Sequence, residues 1–185
     1  MQSYLKEKAI DFIVSREPGG TLIGEKIRDI LLMRDQEQLL PISELLLFFA
    51  SRAQNIAYHV KPALEQGQWV LCDRFIDATF AYQGGGRGLP QDWIATLGQW
   101  VGAMKPDKIF LLDMPVELAL KRLSLRGELD RFEHEKQSFF ERVRQVYLER
   151  AAADPDRYHL IDASQPLIEV QAQLKQLLDK LMEGA

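Results

Sequence analysis

The chain has 185 residues, of which 46% are hydrophobic and 27% charged, and its formal net charge at pH 7 is −4. This size and composition predict one globular domain spanning residues 1–185, and the acidic balance argues against a general nucleic-acid or membrane-surface binder, because phosphate surfaces attract basic faces. Cys72 is the single cysteine, and the sequence has neither a signal core nor an apolar run long enough to cross a bilayer, so we expect a reducing, cytoplasmic setting.

Strand-like and helix-like segments alternate along the chain. Four short apolar runs have the β-branched and aromatic character of strands and lack the polar alternation of a half-exposed sheet. These runs cover residues 11–15, 69–72, 109–112 and 158–161. Apolar residues at helical spacing lie between them, and the longest such stretch runs from Leu45 to Leu64 and ends at Gly67. The alternation predicts an α/β fold, a parallel sheet with helices on both faces.

Polar residues follow the predicted strands. Arg16 and Glu17 follow the first strand, and Asp73 and Arg74 follow the second. Ligands of parallel sheets bind beyond the carboxyl ends of the strands, where a carboxylate can hold Mg²⁺ through water and a guanidinium can bind phosphate with two hydrogen bonds. A structural salt bridge explains the Asp73–Arg74 pair equally well. The glycines at 84–86 are likewise compatible with a mere flexible turn.

Phe48 and Arg52 form a second candidate pair. They are four residues apart, so they lie on one face of the predicted helix. A flat ring beside a forked donor suits a nucleobase, because the ring stacks on the base and the guanidinium donates to a base carbonyl. A helical aromatic is more often part of the core, and this alternative stays open for Phe48. Phe49 is the better core candidate, because it shares a stripe with Leu45 and Ile56.

A basic segment, approximately residues 121–135, carries the third candidate group. Lys121 and Arg122 lie on a predicted helix that breaks at a glycine, and Arg126 and Arg131 flank the break. This pattern is typical of a mobile lid that closes over phosphates and neutralises charge on a transferring phosphoryl group. The alternative is the ordinary solvated end of a charged helix.

Taken together and in this order, these segments resemble the sequence blocks of bacterial thymidylate kinases over nearly the whole chain. The blocks are residues 16–21, 48–52, 73–74, 82–88 and 126–131. The resemblance implies a P-loop nucleoside monophosphate kinase fold and transfer of the γ-phosphoryl group of ATP to dTMP, giving dTDP and ADP, with Mg²⁺ as cofactor. It also implies a homodimer formed through helices. The stretches Leu45–Leu64 and Trp93–Val101 are candidates for that interface, with burial in the core as an equal alternative.

The resemblance assigns contacts with the base and the sugar to five positions. Phe48 is expected to stack on thymine, and Arg52 to donate to a thymine carbonyl. Thr79 and Gln83 are expected at the base edge, and Tyr82 is expected to crowd the 2′ position and so favour deoxyribose. A kinase for another nucleoside monophosphate is an alternative, against which Phe48, Arg52 and Tyr82 argue.

The resemblance assigns the phosphates to charged residues. Arg28 and Arg74 are expected to bind the acceptor phosphate, while Glu17 and Asp73 are expected near the phosphates and Mg²⁺, which they would contact through water. The expected catalytic residues are Asp73, Arg126 and Arg131. Two departures leave fine specificity and rate open: Ala78 stands where the family often has Ser, and Ser124 where it often has a further basic residue.

The sequence contains no Gly-x-x-x-x-Gly-Lys-Ser/Thr pattern, the loop whose amides and lysine hold the phosphates of ATP in this family. We therefore expect that the first, central strand and the P-loop, about two dozen residues, are absent from the chain. The strands ending at Arg74 and Asp113 would then face a gap. On this expectation the 185 residues alone are inactive, and the alternative function is a non-catalytic fragment or pseudo-enzyme that retains dTMP binding or dimerisation.

Overall fold

The computed structural model of the chain describes residues 1–33, 37–125 and 130–183. Its strands lie where the apolar runs predict them, each shifted or extended by one residue to include the first polar position at its carboxyl end. They are β1 (Phe12–Arg16), β2 (Trp69–Asp73), β3 (Ile109–Asp113) and β4 (Tyr158–Asp162).

The strands form two parallel pairs. β1 pairs with β2, with Arg16 opposite Asp73, and β3 pairs with β4, with Asp113 opposite Asp162. Across the described ranges, no hydrogen-bonded ladder joins β2 to β3. The parallel pairing is as predicted, and the separation of β2 from β3 agrees with the expectation that these two strands are not neighbours. Parallel register places the charged ends of β1 and β2 side by side.

α-Helices fill the connections between the strands. In chain order they are α1 (Gln2–Glu7), α2 (Leu22–Leu32), α3 (Pro41–Asn55), α4 (Lys61–Glu65), α5 (Ile76–Thr79), α6 (Gln91–Trp100), α7 (Val116–Leu123), α8 (Gln137–Ala153) and α9 (Leu167–Glu183). None of the helices that the structure describes is both long and apolar enough to span a bilayer.

Two π-helical segments continue α-helices. The segment Ile56–Val60 joins α3 to α4, so the long helix predicted between Leu45 and Leu64 is present but contains a wider turn. That turn precedes Pro62, which lacks an N–H and would crowd a carbonyl of the preceding turn in a regular α-helix. The second segment, Phe80–Gly86, continues α5 and carries Tyr82, predicted to contact the sugar, and Gln83, predicted to contact the base.

One apolar cluster joins the two sheets. Tyr4 and Leu5 of α1 and Leu178 of α9 are buried, and they pack against Phe12 of β1 and Phe110 of β3. Helices α1 and α9 therefore cover the same face of both strand pairs. Burial of this apolar surface, at about 25 cal/mol per Å², holds together two sheets that share no ladder in the described chain.

Two further clusters position the site. Leu45 and Phe49 of α3 pack on Ile94 of α6, which confirms Phe49 as a core residue. In the other cluster, buried side chains of α8 pack against the Phe80–Gly86 segment and the half-buried Phe48. Helix α3 is thus held on one side by α6 and faces the Phe80–Gly86 segment on the other.

Candidate functional site

The candidate site lies between α3 and the helix formed by α5 and the Phe80–Gly86 segment. Helix α3 presents Glu44, Phe48 and Arg52 at intervals of four, so they share one face, and the other helix presents Thr79 and Gln83 in the same way. Arg52 Nη2 donates to Thr79 Oγ1 at 2.9 Å, and Gln83 Nε2 donates to Glu44 Oε1 at 2.7 Å. We call these five residues the two-rung cluster.

The two rungs of this cluster are the hydrogen-bonded pairs Arg52–Thr79 and Gln83–Glu44, and their separation defines its length. Glu44 and Arg52 are eight residues apart, which corresponds to about 12 Å along the helix axis. Phe48 lies between them on the same face of α3. It is half-buried rather than fully packed in the core. The structure therefore brings together four of the five residues predicted to contact base and sugar, and it adds Glu44.

Arg52 is held by a buried ion pair. Its side chain is 1% exposed, and its Nε donates to Glu17 Oε2 at 2.7 Å. Asn55 Nδ2 donates to the other oxygen of Glu17 at 3.2 Å. Burial raises the pKa of Glu17, and the positive charge of Arg52 and the Asn55 amide oppose that shift. The pair fixes the plane of the guanidinium group.

The Nη1 nitrogen of Arg52 differs from Nε and Nη2, which bind Glu17 and Thr79. Among the described residues, Arg52 Nη1 is buried and makes no hydrogen bond. Leaving such a donor unpaired costs about 1–3 kcal/mol, and buried polar groups are rarely left so. A ligand acceptor at this nitrogen removes the cost. A base carbonyl is such an acceptor.

Glu17 lies beneath Arg52 in this structure. Both of its carboxylate oxygens accept hydrogen bonds, from Arg52 and Asn55. The residue is 4% exposed, and its contact here is with the arginine that is expected to bind the base. Its expected place near the phosphates and Mg²⁺ stays a prediction.

Asp73 and Arg74 form the rim at the end of β2. Both are exposed, and Arg74 has a left-handed backbone with φ of 63°. A non-glycine residue in that region costs about 1–3 kcal/mol and is found mainly at functional sites. The Arg74 guanidinium lies 4.9 Å from the centre of the Tyr82 ring. This contact connects the predicted phosphate end of the site with the predicted sugar contact.

Arg28 lies at the same end of the β1–β2 pair. It belongs to α2, and its Nη1 donates to the carbonyl oxygen of Pro18 at 2.9 Å. The loop that contains Pro18 is joined to the end of β2, because Glu17 N donates to Asp73 O at 3.0 Å. The structure therefore places Arg28, Asp73 and Arg74 around one strand end, and binding of the acceptor phosphate by Arg28 and Arg74 stays a prediction.

The predicted lid is described in part. Arg126 lies outside the described residues. Arg131 donates from Nη2 to Glu44 Oε2 at 2.7 Å and from Nε to the carbonyl oxygen of Leu31 at 2.9 Å. The expected catalytic Arg131 is therefore paired with a buried carboxylate of the two-rung cluster here. Its role toward a phosphoryl group stays a prediction.

Aromatic contacts hold residues 130–135 against the site. The Phe132 ring lies edge-on to Phe48 at 6.1 Å and to Tyr82 at 6.0 Å between ring centres. Asp130 Oδ1 accepts from the backbone N–H of Phe132 and so closes the turn. Arg122, by contrast, donates to the carbonyl oxygens of residues 163 and 164, which anchors the end of α7. Arg122 is exposed, and its place in the predicted lid stays a prediction, with the solvated helix end as the alternative.

The glycine run is not a flexible turn. Gly85 and Gly86 lie against α8, where Arg142 Nη2 donates to the Gly86 carbonyl oxygen at 2.7 Å and Arg142 Nε to that of Gly85 at 3.1 Å. A Cβ atom on Gly86 would lie 2.4 Å from the Phe139 ring. These glycines permit the close approach of two helices, and this approach positions Tyr82 and Gln83.

Sequence reasoning did not single out Glu44 or the residues that hold α5 in place. Glu44 is fully buried in an otherwise apolar stretch of α3, and a lone carboxylate in such a stretch is a signal that it is paired. Asp77 is also buried and accepts from Arg150, with Nη2 at 2.6 Å, and from the Tyr158 hydroxyl. Both acids bind elements that are distant in sequence, so local patterns do not reveal their partners.

The comparisons with known proteins agree with this arrangement. The thymidylate kinase family model matches residues 1–174 of the chain. A thymidylate kinase of Pseudomonas savastanoi pv. phaseolicola is 51% identical over 184 residues, which cover 99% of this chain and 88% of that protein. One of Pseudomonas fluorescens is 52% identical over 182 residues, which cover 98% of this chain and 87% of that protein.

The fold is also similar to that of a solved thymidylate kinase. The crystal structure of thymidylate kinase from Ehrlichia chaffeensis superposes with a TM-score of 0.75 and 30% sequence identity, over 97% of this chain and 87% of that chain. Sequence blocks, strand arrangement and site residues thus lead to one assignment: the chain belongs to the thymidylate kinase family.

Proposed function

We propose that this chain is a nucleoside monophosphate kinase that phosphorylates dTMP to dTDP with ATP as phosphoryl donor. The observation that carries the proposal is the two-rung cluster, with the unpaired Nη1 of Arg52 at one end and the amide of Gln83 at the other. Phe48, between them, offers a ring on which a base can stack.

The cluster matches thymine in its hydrogen-bonding pattern. Thymine carries a carbonyl acceptor at position 4 next to an N–H donor at position 3. Arg52 offers a donor, and Gln83 offers its amide oxygen as an acceptor, because its nitrogen already donates to Glu44. Cytosine reverses both groups, so a donor faces a donor and an acceptor faces an acceptor. Tyr82, which lies beside Arg74, is suited to exclude a 2′-hydroxyl.

The phosphate end is proposed to use the residues around the carboxyl ends of β1 and β2. Arg28 and Arg74 bind the acceptor phosphate, and Arg126 and Arg131 approach the transferring group from the lid. Asp73, an exposed carboxylate at this rim, suits Mg²⁺ that is held chiefly by phosphates and water. The described residues contain no group of three or more side chains that would by themselves cage a metal ion. Mg²⁺, when bound, neutralises phosphate charge.

Binding of ATP, the phosphoryl donor, is the part of the proposal that concerns the Gly-Lys loop. The sequence lacks that motif, and in the described ranges β2 and β3 are not joined. The family match begins at residue 1 and lends no support to an absent N-terminal segment. The relatives match 98–99% of the chain and likewise lend no support to inactivity of the 185 residues, so the proposal is an active kinase. The alternative is a dTMP-binding or dimerising protein without turnover.

We also propose that the protein forms a homodimer through α3 and α6. Leu46 on α3 and Trp93 and Trp100 on α6 are 51%, 48% and 78% exposed. The two helices pack on each other through Leu45 and Ile94, so these exposed apolar side chains lie on adjacent elements. A second copy of the chain is the proposed occupant of this surface, which we call the α3–α6 surface.

Calorimetric titration of the chain with dTMP, dUMP, dCMP and dAMP tests the base assignment. We expect tightest binding of dTMP, slightly weaker binding of dUMP and at least tenfold weaker binding of dCMP, equivalent to about 1.4 kcal/mol. Equal affinity for all four nucleotides contradicts the assignment. A coupled assay of ADP release with ATP, Mg²⁺ and dTMP then separates the enzyme from the dTMP-binding alternative.

A further inference from the structure

Glu44 is a buried carboxylate that binds three separate parts of the site. Its Oε1 accepts from Gln83 Nε2 at 2.7 Å, and its Oε2 accepts from Arg131 Nη2 at 2.7 Å. Arg87 Nε lies 3.3 Å from both oxygens. The side chain is fully buried, so water does not compete for these oxygens. Glu44 does not belong to the set of residues expected to contact dTMP.

The chemistry of a carboxylate determines which way the Gln83 amide faces. An ionised carboxylate accepts hydrogen bonds and has none to donate, and two guanidinium groups lie beside this one. Gln83 must therefore turn its NH₂ group toward Glu44, which leaves its Oε1 on the opposite side. An amide without such a neighbour can rotate and exchange its donor and acceptor with little change in shape.

We infer that Glu44 is a positioning residue that sets the base specificity of this site by holding Gln83 with its amide oxygen toward the base. The inference rests on the proposed dTMP-binding function. The oxygen accepts the N3–H of thymine, and it repels the unprotonated N3 of cytosine. Glu44 therefore acts on the choice between bases through Gln83 without touching the nucleotide.

A purely structural role for Glu44 is the competing explanation. Arg131 belongs to the lid segment and Arg87 follows the Phe80–Gly86 segment, so Glu44 also ties these elements to α3. Loss of those ties weakens binding of every nucleotide by a similar factor, because neither arginine faces the distinguishing edge of the base. Loss of the Gln83 constraint changes the ratio between two pyrimidines. The ratio of dissociation constants therefore separates the two roles.

The variant Glu44→Gln tests the inference. It keeps the shape of the side chain, and its amide can either accept from Gln83 or donate to it. Calorimetry with dTMP and dCMP on the wild-type chain and on this variant is the measurement. We expect the ratio of the dCMP to the dTMP dissociation constant to fall about tenfold. A change of this size corresponds to the loss of about one hydrogen bond that distinguishes the two bases. An unchanged ratio, with both nucleotides weakened alike, overturns the inference.

Two control variants sharpen the result. Glu135→Gln removes the other carboxylate bound to Arg87 without touching Gln83, and it is expected to leave the ratio unchanged. Glu44→Asp retains an acceptor-only group and is expected to preserve most of the ratio of dissociation constants even if the affinity for both nucleotides falls.

Circular dichroism shows whether the Glu44→Gln variant is folded. If it is unfolded, the double variant Glu44→Gln with Arg87→Gln, which also removes one positive charge, takes its place.

Failure of the proposed dTMP-binding function gives a different experimental result from failure of the inference about Glu44. If the wild-type chain binds dTMP and dCMP equally, the dTMP assignment fails before any variant is compared. If the wild-type chain prefers dTMP and the Glu44→Gln variant prefers it to the same degree, the base assignment stands and the role of Glu44 is overturned.

Discussion

Arg52 is a buried side chain whose guanidinium group is only partly satisfied by described protein groups. Two of its nitrogens are bound by Glu17 and Thr79, and in the described chain the third has no hydrogen bond. Buried ion pairs add little net stability, but removing one member leaves a charge that costs about 3–5 kcal/mol. Arginine suits this position better than lysine, because its planar fork can satisfy two fixed partners and still present a donor.

His159 provides a pH-dependent contribution to stability. Its Nε2 is buried without a hydrogen-bond partner in the described residues, and its ring lies 5.6 Å from that of Phe110. Burial, together with the positive charge of Lys108, lowers the pKa of His159 below its usual value of 6.5. The folded chain therefore resists protonation of this ring, whereas the unfolded chain accepts it.

The expected consequence is a loss of stability in mild acid. As pH falls below about 6.5, the unfolded state binds a proton that the folded state does not, so the free energy of unfolding decreases. The variant His159→Phe lacks this titration and is expected to show a flatter dependence between about pH 7.5 and about pH 5.5. Urea denaturation at several pH values measures it, and an equal slope in wild type and variant contradicts the assignment.

At the scale of elements, the Phe80–Gly86 segment positions two of the residues proposed to contact the nucleotide. It carries Tyr82 and Gln83, and its glycines allow α8 to approach closely. Asp77, in the preceding α5, adds an ion pair to Arg150 of α8. π-Helical turns place successive side chains differently from an α-helix and often occur at functional sites. Packing against α8 thus fixes the position of residues that face α3.

The variant Gly86→Ala tests this packing. Its Cβ would lie 2.4 Å from the Phe139 ring, so the two helices must separate, at a cost of about 1–3 kcal/mol. We expect a melting temperature lower by about 2–4 °C per kcal/mol, with weaker dTMP binding. Gly84→Ala is the control, because its Cβ would come no closer than 3.3 Å to any neighbour, the nearest being Cδ1 of Ile94 on α6. Equal effects of both substitutions would argue against the role of α8.

For the whole molecule, the exposed apolar side chains of the α3–α6 surface predict self-association. The variant Leu46→Glu places a charge at its centre, and its expected effect is to convert a dimer into a monomer without loss of helical content. Leu167→Glu, at a 71% exposed position on α9, is the matched control and should leave the mass unchanged. Sedimentation velocity measures both. A wild-type chain that sediments as a monomer at micromolar concentration refutes the proposed dimer.

The sequence by itself determined the strands, their parallel pairing and which residues were candidates for the site. Strand runs and helix stripes depend on local spacing, and Phe48 with Arg52 or Thr79 with Gln83 share a face because they are four residues apart. The ends of parallel strands meet at one edge, which placed Arg16, Glu17, Asp73 and Arg74 at one rim. These features follow from neighbours in the chain, so local residue patterns are sufficient to predict them.

The tertiary structure decided which side chains satisfy one another. Glu17 pairs with Arg52 across 35 positions, Gln83 with Glu44 across 39, and Arg131 with Glu44 across 87. No local pattern encodes such pairs, because they depend on how α3, the Phe80–Gly86 segment and residues 130–135 come together. For the same reason the structure alone showed that the chain, over its described ranges, forms two separate strand pairs joined by the packing of α1 and α9.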